Sequence, residues 1–153
     1  MASPTVVPTK YAGDDGDFLI APCDRSGAVR LVQGSVTVPD ATAEGAFIGL
    51  IPFNSGARFV LNDKSIHVTD IDSGTDSLLN VGIIYESGEG TDDVDAYAAA
   101  STAGQAGGFI SLTNVAGLST VTTGKGWLAV ENDTNVTEAE GTITFAVGVA
   151  YDG

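Results

Sequence analysis

Large apolar residues and small or polar ones alternate through much of this chain. The longest case runs from Thr142 to Tyr151, where Ile143, Phe145, Val147, Val149 and Tyr151 alternate with Thr142, Thr144, Ala146, Gly148 and Ala150. Successive side chains of a strand point to opposite faces, so the pattern predicts a strand with one bulky face and one small face. Shorter stretches of the same kind predict strands over Ala28–Gln33, Ser35–Val38, Ala46–Ile51, Arg58–Leu61, Ser65–Ile71, Leu78–Tyr85, Gly108–Leu112, Leu118–Thr122 and Gly126–Glu131. Turn chemistry separates them, as at Pro39-Asp40, Asn54-Ser55-Gly56, Asn62-Asp63 and Asp72-Ser73-Gly74. Many short strands punctuated in this way predict a mainly β fold, a sandwich or barrel.

Two regions depart from the alternation. Between Thr91 and Ala103, Val94, Tyr97, Ala98 and Ser101 recur at helical spacing, with Thr91 or Asp92 placed to cap the start and Gly104 to stop the end. Asp93 and Asp95 suit the positive end of a helix dipole, so one short helix is predicted over 91–103. The first residues carry Pro4, Pro8 and Pro22, which discourage a ladder, yet Val6, Val7, Tyr11, Phe18, Leu19 and Ile20 are too apolar for a solvated tail. This predicts an extended amino-terminal arm over 1–25, packed on its own domain or on a neighbour, followed by a single β-sandwich domain over 26–153.

Composition strengthens the β reading. Val, Ile and Thr outnumber the unbranched helix formers, and branching at Cβ favours a pleated surface over a helix. Charge narrows the function. Six Lys and Arg against 20 Asp and Glu give a formal net charge of -14. A surface of that sign repels nucleic-acid phosphates and anionic lipid, so neither is an expected partner. The amino terminus has no basic residues ahead of an apolar segment, which predicts no secretory signal. The lone Cys23 then stays a reduced thiol, and the sequons at Asn132 and Asn135 are chance matches.

Candidate chemistry is sparse. Asp70, Asp72 and Asp76 are spaced like ligands of a calcium loop, but Val81 stands where the closing Glu belongs. Asp in such a segment more often accepts hydrogen bonds from backbone two residues on, so a structural turn is expected. His67 is the only histidine and falls on the half-polar face of its strand, with no nucleophile or orienting group in its local pattern. Trp127 could stack on a sugar, though a lone Trp in a β-domain more often packs. No catalytic residue, metal site, cofactor or small-molecule substrate follows from these residues.

The layout resembles a known class. An acidic, Gly-, Ala- and Thr-rich β-domain with the arm Tyr11-Ala12-Gly13-Asp14-Asp15-Gly16-Asp17-Phe18-Leu19-Ile20-Ala21-Pro22 and the segment Ser101-Thr102-Ala103-Gly104-Gln105-Ala106-Gly107-Gly108-Phe109 resembles the capsid decoration, or cement, proteins of tailed phages. The resemblance implies a jelly-roll-like or related β-sandwich, commonly a homotrimer. It also implies a place on the capsid exterior, bridging capsomers of the major capsid protein. No family motif carries residue roles across. From the residues themselves, the interface candidates are Val6, Val7, Tyr11, Phe18, Leu19 and Ile20, with Arg25 and Arg30 beside the arm. Two other readings stay open: a carbohydrate- or receptor-binding sandwich with Trp127 and Tyr85, Tyr97 or Tyr151 in one exposed cleft, and an enzyme with carboxylates converging on His67.

Overall fold

In the computed structural model the described residues are Pro4, Val6, 29–72 and 75–151. Nine strands follow in chain order: β1 (Arg30–Val38), β2 (Phe47–Phe53), β3 (Ala57–Val60), β4 (Ile66–Val68), β5 (Leu78–Tyr85), β6 (Asp93–Ser101), β7 (Gly108–Phe109), β8 (Gly126–Thr134) and β9 (Gly141–Tyr151). They form two antiparallel sheets. One is five-stranded, in the order β1-β9-β4-β7 with β3 also paired to β9; the other is four-stranded, in the order β2-β8-β5-β6.

Setting β3 aside, each strand has a partner that mirrors it along the chain. These pairs are β1 with β9, β2 with β8, β4 with β7 and β5 with β6. A long hairpin rolled up in this way, with successive pairs dealt to alternate sheets, is the jelly roll. The mainly β sandwich expected from the alternation is the fold observed.

β9 shows why the sequence chooses it. Ile143, Phe145, Val147 and Val149 point inward and are buried, while Thr144 and Ala146 are exposed. One edge of β9 pairs with all of β1, from Arg30↔Val149 to Val38↔Gly141. Its other edge is shared, with β3 on 148–151 and β4 on 143–145. β1 runs unbroken through Gly34, so the two strands expected over Ala28–Gln33 and Ser35–Val38 are one. Between the sheets, edge-to-face aromatics link Tyr85 to Phe53 at 5.6 Å, Phe53 to Phe59 at 5.7 Å and Phe59 to Tyr97 at 6.5 Å.

The helix expected over Thr91–Ala103 is not there. Those residues form β6 instead, and the one α-helix is the single turn Ala103–Ala106 that follows. The helical spacing has a different cause. Along the β5–β6 ladder, β5 advances only from Val81 to Ile83 while β6 runs from Ala98 back to Asp93. Such bulges shift the inward-facing phase, so apolar residues recur at intervals a regular strand would not give. Asp92, read as a helix cap, uses the same chemistry on a strand: its Oδ1 accepts the Tyr85 N–H at 2.7 Å. The strand expected over Leu118–Thr122 is likewise replaced, in part by a 3-10 turn at Val115–Ser119. Its continuation is tied down by Thr122, whose N–H donates to the Ala57 carbonyl and whose Oγ1 accepts the Ala57 N–H, each at 2.8 Å.

Candidate interaction surfaces

The outer face of the five-stranded sheet is assembled in rows by the strand registers. Leu31, Gly148 and Val60 stand side by side across β1, β9 and β3. Ser35, Thr144, His67 and Phe109 make a second row across β1, β9, β4 and β7. Gln33 and Ala146 lie between the rows, Thr37 and Thr142 close one end, and Arg58 with Ala150 closes the other. None of these residues is acidic. The central strand contributes only Thr, Ala and Gly, so the face is flat.

One sector of this face is apolar and uncovered. Val29 is 62% exposed, Leu31 58% and Val60 48%. They are contiguous, because a Cβ placed on Gly148 would meet Val29 Cγ1 at 2.9 Å and Val60 Cβ at 3.1 Å. At the other end Phe109 is exposed, with His67 edge-on to it at 4.9 Å and the Lys64 Nζ 4.7 Å from its ring centre. A cation over an aromatic face is favourable and here stays at the surface.

The outer face of the four-stranded sheet is built differently. Ile84, Trp127 and Ala129 are buried there, with Phe47 and Val94 packed against them. Pro4 reaches this face: a Cβ on Gly49 would meet Trp127 Cε3 at 2.7 Å and Pro4 Cβ at 2.9 Å, so only glycine fits. The Gly49 N–H donates to the Val6 carbonyl at 2.7 Å, and Val6 bridges Ile48 in parallel. Carboxylates gather on this side of the molecule. Glu131 accepts a bond from Asn80 Nδ2 at 2.8 Å, and Asp93 is held above its ordinary carboxyl range, chiefly by burial and then by neighbouring Asp95.

The acidic loop after β4 is a structural turn. Asp70 Oδ1 accepts the Asp72 N–H at 3.1 Å, and Asp72 Oδ2 accepts the N–H groups of Asp76 at 3.0 Å and Ser77 at 2.8 Å. Its carboxylates serve the backbone, as expected of Asp in turns. Among the described residues, no group of three or more His, Cys, Asp or Glu has the geometry to hold a metal.

Of the interface candidates, Val6 is half-buried against the main core and Arg30 is exposed at the start of β1. Val7, Tyr11, Phe18, Leu19, Ile20 and Arg25 lie outside the described residues. The aromatic cleft that glycan binding would need is not formed, because Tyr85, Tyr97 and Trp127 are all buried. Burial also raises the Tyr97 hydroxyl above its ordinary range. His67 has Thr144 and Phe109 as its row neighbours, neither a carboxylate. Asn132, the first sequon, is fully buried, and its Nδ2 donates to the carbonyls of Thr42, Ala43 and Asn135.

The exposed sector of Val29, Leu31, Val60 and Phe109 escaped the reading of the sequence. A signal for it exists: the segments 29–39, 45–62 and 141–151 contain no Asp or Glu in a chain that has 20.

No protein-family model matches the chain, and no curated protein is detectably similar to it in sequence. Among solved structures, a chain of the capsid of Ralstonia phage GP4 superposes with a TM-score of 0.63 and 22% identity, over 90% of this chain and 91% of that one. This chain shares its fold with a phage capsid chain. A chain of the cyanophage Pam1 capsid asymmetric unit matches with a TM-score of 0.56 and 22% identity, over 90% of this chain and 94% of its own length. Both likenesses run nearly end to end, so the matched chains are of about this size.

Proposed function

We propose that this chain is a non-enzymatic virion structural protein that decorates and stabilises a tailed-phage capsid, seated on the exterior as a homotrimer and bridging capsomers of the major capsid protein. The observation that carries the reading is the whole-chain likeness to chains of two phage capsids. The chemistry agrees with it. A net charge of -14 keeps an outward-facing protein soluble and indifferent to packaged DNA. Many copies on one shell allow each contact to be weak. In this role the arm over 1–25, with Val7, Tyr11, Phe18, Leu19, Ile20 and Arg25, supplies apolar contacts, and Arg30 flanks them.

Sedimentation tests this directly. Purified protein is mixed with undecorated, expanded shells of the phage that encodes it, with dissociated shell subunits, and with DNA. It is expected to pellet with the shells and to ignore the other two, because a site composed of several subunits exists only on the assembled surface. Absence from the shell pellet overturns the reading. Light scattering after size exclusion gives the mass of the free protein, and a monomer at micromolar concentration overturns the trimer.

A further inference from the structure

We infer that the outer face of the five-stranded sheet is the surface that seats on the shell, and that its partner there is an apolar protein surface bordered by carboxylates. The inference rests on the decoration reading and adds to it which side of the molecule faces inward. Three observations converge on this face. First, Val29, Leu31 and Val60 form an uncovered apolar sector on one side of the sandwich, whereas the apolar residues of the opposite outer face are buried. A contiguous exposed patch of that kind marks an interaction site more often than a scattered valine does. Second, the face carries no carboxylate although the molecule is strongly acidic, so it is where an acidic partner meets least repulsion. Third, cations stand on it: Arg58 at the apolar end and Lys64 over Phe109 at the other.

The same charges decide against a second copy of this chain as occupant. Two such faces pressed together would set cations against cations and offer neither an acid to pair with. A polyanionic nucleic acid is opposed by the field of the whole chain. An apolar protein surface with carboxylates at its rim satisfies both the patch and the cations, with the charges steering approach and the apolar sector holding the complex.

The experiment compares outward-facing substitutions on this face with matched ones elsewhere, in the full-length protein. Leu31→Asp combined with Val60→Asp is set against Val115→Asp combined with Val136→Asp, since Val115 and Val136 are also exposed valines but lie off this face. Both pairs point to solvent, so their melting temperatures should stay near that of the parent. Binding to undecorated shells by sedimentation should fall on the order of tenfold or more for the first pair and stay at the parental value for the second. Lys64→Glu should weaken binding less, with the loss shrinking as salt rises. If the aspartate pair proves unstable, Leu31→Ser with Val60→Ser removes the patch without adding charge and should still weaken binding.

Parent protein that binds shells, together with a Leu31/Val60 variant that binds equally well, overturns this inference and leaves the decoration reading standing. A change in the mass of the free protein on substitution also overturns it, by making the face a contact between copies. If the parent itself fails to bind, the decoration reading falls and this inference falls with it.

Discussion

The two sheets share one core but treat their outer faces in opposite ways. The four-stranded sheet buries Trp127, Ile84 and Ala129 on its outside, under Phe47, Val94 and the chain near Pro4, and gathers carboxylates around them. The five-stranded sheet leaves Leu31, Val60 and Phe109 in solvent on a flat surface free of acids. A sheet with one solvated face normally makes that face polar, and a sheet with an apolar outer face normally covers it. The four-stranded sheet covers its own apolar residues. The five-stranded sheet does not, and this difference is what singles out its face as the one that meets a partner.

The largest expected effect separates the two faces by stability alone. Trp127→Ala empties a packed site on the covered face and should cost about 3–5 kcal/mol. Val60→Ala, on the uncovered face, removes atoms that already touch water and should change stability by no more than about 0.5 kcal/mol. Chemical denaturation of the two variants measures both, and similar losses would break the comparison. Such a result would mean that Val60 is packed in the native protein after all.

A smaller contrast lies in two outward-facing glycines. Gly82 on β5 has the backbone of Asp93 and Val94 lying across it, where β6 bulges over the strand. A methyl group there has backbone to displace, so Gly82→Ala should cost about 1–3 kcal/mol by forcing β6 outward. Gly148 on β9 is bordered by the exposed side chains of Val29 and Val60. These can give way, so Gly148→Ala should stay within about 0.5 kcal/mol. Melting temperatures of the two variants should therefore order as Gly82→Ala well below Gly148→Ala. The reverse order would show the β6 bulge to be loosely held.

The covered and uncovered faces were not equally legible in the sequence. Regular alternation gave β9 and the full extent of β5, because those strands pair without interruption over their buried faces. It failed at β6, where bulges re-phase Val94, Tyr97 and Ala98 into a helical spacing and the local preference of an Ala-rich run yields to pairing with β5. It also split β1 at Gly34, since only the presence of β9 alongside makes the strand continuous. The sandwich was thus readable from local pattern, while the surface was not. Net charge averages over the whole chain and hides an acid-free face. That face appears only when the register sets Leu31 beside Gly148 and Val60, and Ser35 in line with Thr144, His67 and Phe109.

The smallest expected effect comes from the acidic side and depends on pH. Asp93 is held above its ordinary carboxyl value of 3.8, first by burial and then by the hydrogen bond and charge of Asp95. The folded state therefore binds this proton more tightly than the unfolded chain does, and the ionised carboxylate at neutral pH opposes folding. That cost should fade as pH drops through the raised value and be absent below 3.8, where the unfolded chain is protonated too. Asp93→Asn removes the charge at every pH. It should raise the melting temperature by about 1–2 °C at pH 7 and low salt, since solvent screening keeps the gain under about 1 kcal/mol. The advantage over the parent should shrink on acidification and on adding salt. An advantage that instead grew as the pH fell would mean that the Asp93 carboxylate is stabilised by the fold, and that the crowding of acids around β6 carries no cost.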